Sequence, residues 1–173
     1  RRRHSFPTRR SSDLIEIVNA LNSLKQQNIN IDDVRIFFTL EKSTAQPLVA
    51  VISEYGLATC FEFVGGLSFE QVLQYYKSCD LVVFPSYLES FGLPLVEAAK
   101  FGKKILAADL DYAREVLAGY AGVTYLPIHT PHTWGEAINK FILQPETFAS
   151  WEPEFGKNSW QNFFQLVEDF IRS

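Results

Sequence analysis

The chain is 173 residues long and 47% hydrophobic, which suits one domain with a real core. Its net charge of −4 hides an asymmetry: Arg1, Arg2, Arg3, Arg9 and Arg10 against Asp13 make residues 1–14 +4, leaving −8 on residues 15–173. An acidic body argues against a nucleic-acid surface, though not against nucleotide binding, where backbone amides hold phosphate.

The opening "RRRHSFPTRRSSDL" (1–14) reads unlike the rest. Ordinary codons let "HSFPTRRSSDL" be written as a string that resembles a common sequencing-adapter oligonucleotide. Residues 1–14 are therefore read as a non-native segment, and residues 1–12 are expected to make few contacts and no stable strand. The competing reading is a natural basic arm. The chain contains no methionine, even at its first position, so a piece of a longer protein beginning upstream is expected.

Residues 15–173 are read as one domain. "LIEIVNALNSLKQQ" places Leu14, Val18, Leu21 and Leu24 on one helical face, and Asp13 with Glu16 can form a capping box at its start. "DVRIFFTL" (33–40) is strand-like, "AQPLVAVISEYG" is helical and stops at Gly56, and "CFEFVG" (60–65) is a short strand. Ser68 with Gln71 caps the helix "FEQVLQYYKSC". "DLVVFPS" (80–86) is a nearly continuous apolar strand, the pattern of a parallel sheet covered on both faces. "LPLVEAAKFG" is a helix with Pro94 in its first turn and Gly102 past its end. A strand at 103–109, a short helix "DYAREVLAG", a strand at 122–127 and the helices "HTWGEAINKFIL" and "SWQNFFQLVEDFIRS" complete the chain. The last of these carries acids and amides opposite its aromatic face, so it is read as packing on the domain rather than lying on a membrane.

Strands alternating with helices predict an α/β fold, a Rossmann-like doubly wound parallel sheet. Five strands are legible. The chain enters on a helix, so the first strand, central in the 3-2-1-4-5-6 order, is expected to be missing. The strand "LVVFPS" then forms one wall of the crevice where such sheets bind ligands.

The stretch "ESFGLPLVE" lies at the carboxyl end of that wall. Phe91-Gly92-Leu93 precedes a helix whose first N–H groups lack partners and favour an anion. Gly92 permits close approach. Glu97, one turn in, suits the two hydroxyls of a ribose, and Glu89 can reach a second polyol. The alternative is a plain helix start, with Glu97 complementing the dipole and Glu89 solvated.

"SYLESFGLPLVEAAKFGKKILAADLDYAREVL" closely resembles the donor-binding half of GT-B glycosyltransferases, in particular the large retaining family 4 (group 1). The resemblance runs from about residue 15 to 173 and includes "FVGGLSFEQVLQYYKSCD". It implies the C-terminal half of a GT-B enzyme, transferring a sugar from a nucleotide-diphosphate sugar with retention. It assigns Glu89 to the transferred sugar as the catalytic candidate and Glu97 to the ribose. Ser90, Phe91, Gly92 and Leu93 are assigned to the sugar and diphosphate, and Val64, Gly65, Gly66, Leu67 and Ser68 to the base. No metal and no cofactor are implied beyond the nucleotide sugar. The implied acceptor is a sugar, a glycan or a lipid-linked group, held by a missing N-terminal half in a polysaccharide-building pathway.

The departures are specific. The Arg and Lys that clamp the diphosphate in this family lie on the loop after the first strand, which is absent. The Gly-rich turn after the second strand reads "TLEKSTAQ". The fragment alone is therefore expected to be inactive. Other readings are a non-catalytic nucleotide-binding or interaction domain, or a GT-B epimerase or phosphorylase.

Cys60 and Cys79 give neither a disulfide framework nor a metal spacing, and read as buried thiols of a reducing compartment. His129 and His132 read as a loop pair rather than a metal site. No apolar run reaches spanning length and no signal peptide is visible, so the expected location is cytoplasmic, at most peripheral to a membrane.

Overall fold

The computed structural model describes residues 2–6, 11–89 and 91–151. The expected helix at 159–173 lies outside them. The element order is β1 (Arg2–Phe6), α1 (Ser11–Gln26), β2 (Val34–Phe38), α2 (Gln46–Glu54), β3 (Phe61–Phe63), α3 (Phe69–Ser78) and β4 (Leu81–Phe84). It continues with α4 (Leu93–Lys100), β5 (Lys104–Ala108), α5 (Asp111–Val116), β6 (Val123–Leu126) and α6 (Pro131–Leu143). All strand pairs are parallel and the sheet order is β3-β2-β1-β4-β5-β6. The five expected strands and the doubly wound order are therefore present.

One expectation is overturned. Residues 2–6 form β1 in the central position, pairing Arg2 to Phe6 with Val34 to Phe38, and His4 and Ser5 with Leu81 and Val82. The first strand is thus present, and residues 1–12 are not without a strand. The physical reason is that β2 and β4 offer two facing rows of backbone donors and acceptors. A ladder needs only main-chain groups, so it does not require the apolar alternation that the sequence reading sought. Helix α1 likewise begins at Ser11, and Asp13 lies within its first turn rather than capping it.

The strands show why both faces are covered. Leu81, Val83, Leu106 and Ala108 face one core with α1, α2 and α6, including Leu14, Leu21, Leu48 and Trp134. Val82, Phe84, Ile105 and Ala107 face the other core with α3, α4 and α5, including Tyr76, Leu95 and Val116. This two-residue alternation turns a continuous apolar run into two packed layers. Gly135 lets α6 approach α1: a Cβ there would lie 2.9 Å from the Ala20 carbonyl oxygen. The fully buried Trp134 donates its Nε1–H to the Pro127 carbonyl at 2.9 Å, so its one polar atom is satisfied. Cys60 and Cys79 are free and buried, and burial pushes the Cys79 thiol up to about 12.

Candidate functional site

Strand β4 is buried along its whole length and delivers the chain to a loop at its carboxyl end. There Ser86, itself 2% exposed, ties the loop together. Its Oγ lies 3.0 Å from Glu89 Oε1 and 3.4 Å from Asp13 Oδ2, so its single proton can serve either carboxylate. The Tyr87 N–H donates to Asp13 Oδ2 at 3.4 Å. From α5, the Tyr112 hydroxyl donates to the Ser86 carbonyl at 2.6 Å. Burial pushes the Tyr112 phenol up, and the Glu89 and Asp13 carboxylates add to the effect.

Helix α4 starts from a left-handed residue, Gly92, at φ 59° and ψ 36°. A Cβ on Gly92 would come within 3.3 Å of both Leu95 and the Tyr112 ring, so glycine is demanded by conformation and by space. Pro94 fills the first turn as expected. Phe91 is 55% exposed beside this start. Ser90 lies outside the described residues. Glu97 projects from the next turn and is half-buried. Burial pushes its carboxyl up, while the Tyr76 hydroxyl and the Lys100 charge pull it down.

The second group of expected site residues follows β3. Val64 and Gly65 donate backbone N–H groups to the Phe38 and Leu40 carbonyls at 2.9 and 3.1 Å. Gly65 is left-handed at φ 71°, and the Gly66 N–H donates to Glu41 Oε1 at 3.2 Å. Ser68 opens α3 with the capping box expected from Gln71. Strand order separates this loop from the β4 loop by three inter-strand steps of about 4.8 Å, or about 14 Å. The two groups therefore line one end of the sheet and suit an extended ligand better than a single sugar.

The sequence reading gave no site role to several polar side chains that gather near the β4 loop. Asp13 was set aside with the opening segment, yet it is 2% exposed and bonded to the β4 loop. Glu16, 3% exposed, has its carboxyl pushed up by burial, with the Thr130 backbone and His129 pulling it down. His129, left-handed at φ 57°, meets the Tyr87 hydroxyl through Nδ1 at 3.3 Å. His132 instead pairs with Glu136 at 3.5 Å within α6. Among the described residues no group of three His, Cys, Asp or Glu side chains could hold a metal ion. No described helix is long and apolar enough to cross a membrane. A groove of about 330 Å³ between Leu24, Ile29 and Leu143 lies among the last turns of α1 and α6, away from both loops.

A family model described as Glycosyl transferases group 1 matches residues 9–155. The D-inositol 3-phosphate glycosyltransferase of Gordonia bronchialis is 30% identical over 69% of this chain and 25% of its own length. The protein of the same name from Mycobacteroides abscessus is 26% identical over 82% of this chain and 34% of its own. The chain thus spans about a quarter to a third of these relatives. Among solved structures, Anabaena Alr3699/HepE in complex with UDP and glucose superposes with a TM-score of 0.71 at 20% identity, covering 86% of this chain and 40% of that one. The C-terminal domain of the group 1 glycosyl transferase LpcC from Francisella tularensis gives 0.69 at 18% identity, covering 83% and 76%. These likenesses show the fold, the Rossmann-like C-terminal half of a GT-B enzyme. With the family match over most of its length, the chain belongs to the group 1 glycosyltransferases.

Proposed function

We propose that this chain is the donor-binding part of a retaining, metal-independent glycosyltransferase of the family 4 type, taking its sugar from a nucleotide diphosphate. The observation that carries this reading is the pair Glu89 and Glu97 on either side of the left-handed Gly92, at the carboxyl end of β4 near the middle of the sheet. Glu97 accepts hydrogen bonds from the ribose hydroxyls. Glu89, oriented by Ser86, faces the transferred sugar. Backbone amides of Ser90, Phe91, Gly92 and Leu93 meet the sugar and diphosphate, and Val64 to Ser68 line the base. The complex of the Anabaena neighbour with UDP supports a nucleoside diphosphate as the donor's leaving group. The acceptor is a sugar, a glycan or a lipid-linked group bound by a further domain, with the whole protein cytoplasmic or peripheral to a membrane.

In the full-length protein, Glu97→Ala weakens nucleotide-sugar binding by ~1–3 kcal/mol, the range for polar contacts left unmade. Calorimetry with UDP-, GDP- and ADP-sugars measures it, and normal affinity would remove Glu97 from the site. The isolated 173 residues are expected to show no transfer. The chain spans a quarter to a third of the length of these relatives, so the proposed acceptor domain lies outside it and no second substrate is held beside the sugar.

A further inference from the structure

We infer that Tyr112 is a positioning residue of the donor site: from α5 it holds the peptide that places Ser86, and through Ser86 it places the Glu89 carboxylate. The inference rests on the reading of Glu89 as the group that faces the transferred sugar.

The peptide unit between Ser86 and Tyr87 is gripped on both edges. The Tyr112 hydroxyl donates to its carbonyl oxygen at 2.6 Å, and its N–H, on Tyr87, donates to Asp13 Oδ2 at 3.4 Å. No described peptide bond is cis, and a planar trans unit aims its C=O and N–H in opposite directions. Partners on two different helices, α5 and α1, therefore fix the plane against rotation. Strand β4 ends at Phe84, two residues before Ser86, and holds the chain on the other side. With both sides held, the direction of the Ser86 side chain is held too. Its Oγ is left 3.0 Å from Glu89 Oε1. Ser86 has one hydroxyl proton and two carboxylates in reach. Asp13 already takes the Tyr87 N–H and lies farther away, at 3.4 Å, so the proton goes to Glu89. That bond matters because Glu89 is only half-buried, next to Leu88 at 64% exposure, and a carboxylate so placed would otherwise swing.

The Tyr112 ring has a second task. It lies 3.3 Å from where a Cβ on Gly92 would be, so it also backs the start of α4. The two tasks separate by substitution, because phenylalanine keeps the ring and loses only the hydroxyl.

The test uses the full-length protein and whichever of the UDP-, GDP- and ADP-sugars it turns over. Tyr112→Phe is expected to lower kcat about tenfold, the scale of one hydrogen bond, and to leave the Kd of the matching nucleoside diphosphate as in the wild type. Ser86→Ala should give the same loss, and the double variant no more than either single one, because both act on Glu89 by one route. Losses that multiply would overturn the inference, since Tyr112 would then act apart from Ser86. Equal losses in kcat and diphosphate affinity would mean a general loosening of the loop and overturn it as well, as would an unchanged kcat. Glu89→Ala separates the two ideas. If it abolishes turnover while Tyr112→Phe does not lower it, only the positioning role falls; if it turns over normally, the sugar-facing assignment falls and takes the positioning role with it. Should Tyr112→Phe fail to fold, Ser86→Ala carries the test, removing the hydroxyl that the held peptide places. Full turnover in that variant would overturn the inference.

Discussion

The two loops that line the carboxyl end of the sheet are held in different ways. The β4–α4 loop is bonded by side chains from α1 and α5, through Asp13 and Tyr112, and α4 in turn is pinned by Tyr76 from α3. The β3–α3 loop is held by backbone hydrogen bonds to the end of β2 and by the exposed Glu41. Buried side-chain anchors have one good arrangement, whereas backbone tethers at a sheet edge leave the loop free to differ in sequence. On the donor reading proposed above, the contrast would give the sugar and diphosphate a fixed seat and the base an adjustable one.

The largest expected effect tests the anchoring beneath each loop. Phe84 is completely buried under the β4 loop, so Phe84→Ala should destabilise the domain by ~3–5 kcal/mol. Phe69, 67% exposed at the start of α3, should change stability by no more than ~0.5 kcal/mol when made alanine. Denaturant unfolding reads both, and similar losses would erase the distinction between the loops.

A smaller effect separates two glycines. Gly92→Ala puts a Cβ at a left-handed residue, against Leu95 and Tyr112, and should cost ~1–2 kcal/mol with a matching loss of donor affinity. Gly66 has open space where its Cβ would go and no positive φ, so Gly66→Ala should fold as the wild type does. Melting temperatures of the two variants decide the matter.

The smallest effect is electrostatic. Burial raises the Glu97 carboxyl above its usual value, so the folded chain binds that proton more tightly than the unfolded chain does. The linked stability is present in acid and is lost as pH rises through the folded-state value, from about pH 4 upward. Glu97→Gln should remove this slope, and Glu62→Gln on exposed β3 should not. Thermal unfolding across that range checks it, with parallel profiles counting against a desolvated Glu97.

Legibility followed the same division. Local signals were read well: the Ser68–Gln71 box, Pro94 in the first turn, Gly92 before it and the apolar run of β4 all depend on neighbours in sequence. What escaped is long-range. Tyr112 reaches Ser86 across 26 positions and Asp13 reaches Tyr87 across 74, and no periodicity marks either. Strand β1 escaped for a different reason. Its pairing is made by backbone groups, which leave no side-chain pattern in a basic, polar segment.

The outer strands of the sheet carry a consequence for concentration. Strands β3 and β6 are its two edges, three and four residues long, and Glu62 projects into solvent from β3. Edges so short are poor templates for another chain, because few unpaired groups are on offer, and at β3 an addition must also approach a carboxylate. The fold thereby discourages strand-by-strand stacking of neighbouring copies. Among the described residues, exposed apolar side chains such as Leu143 and Phe69 offer self-association a readier route than the sheet.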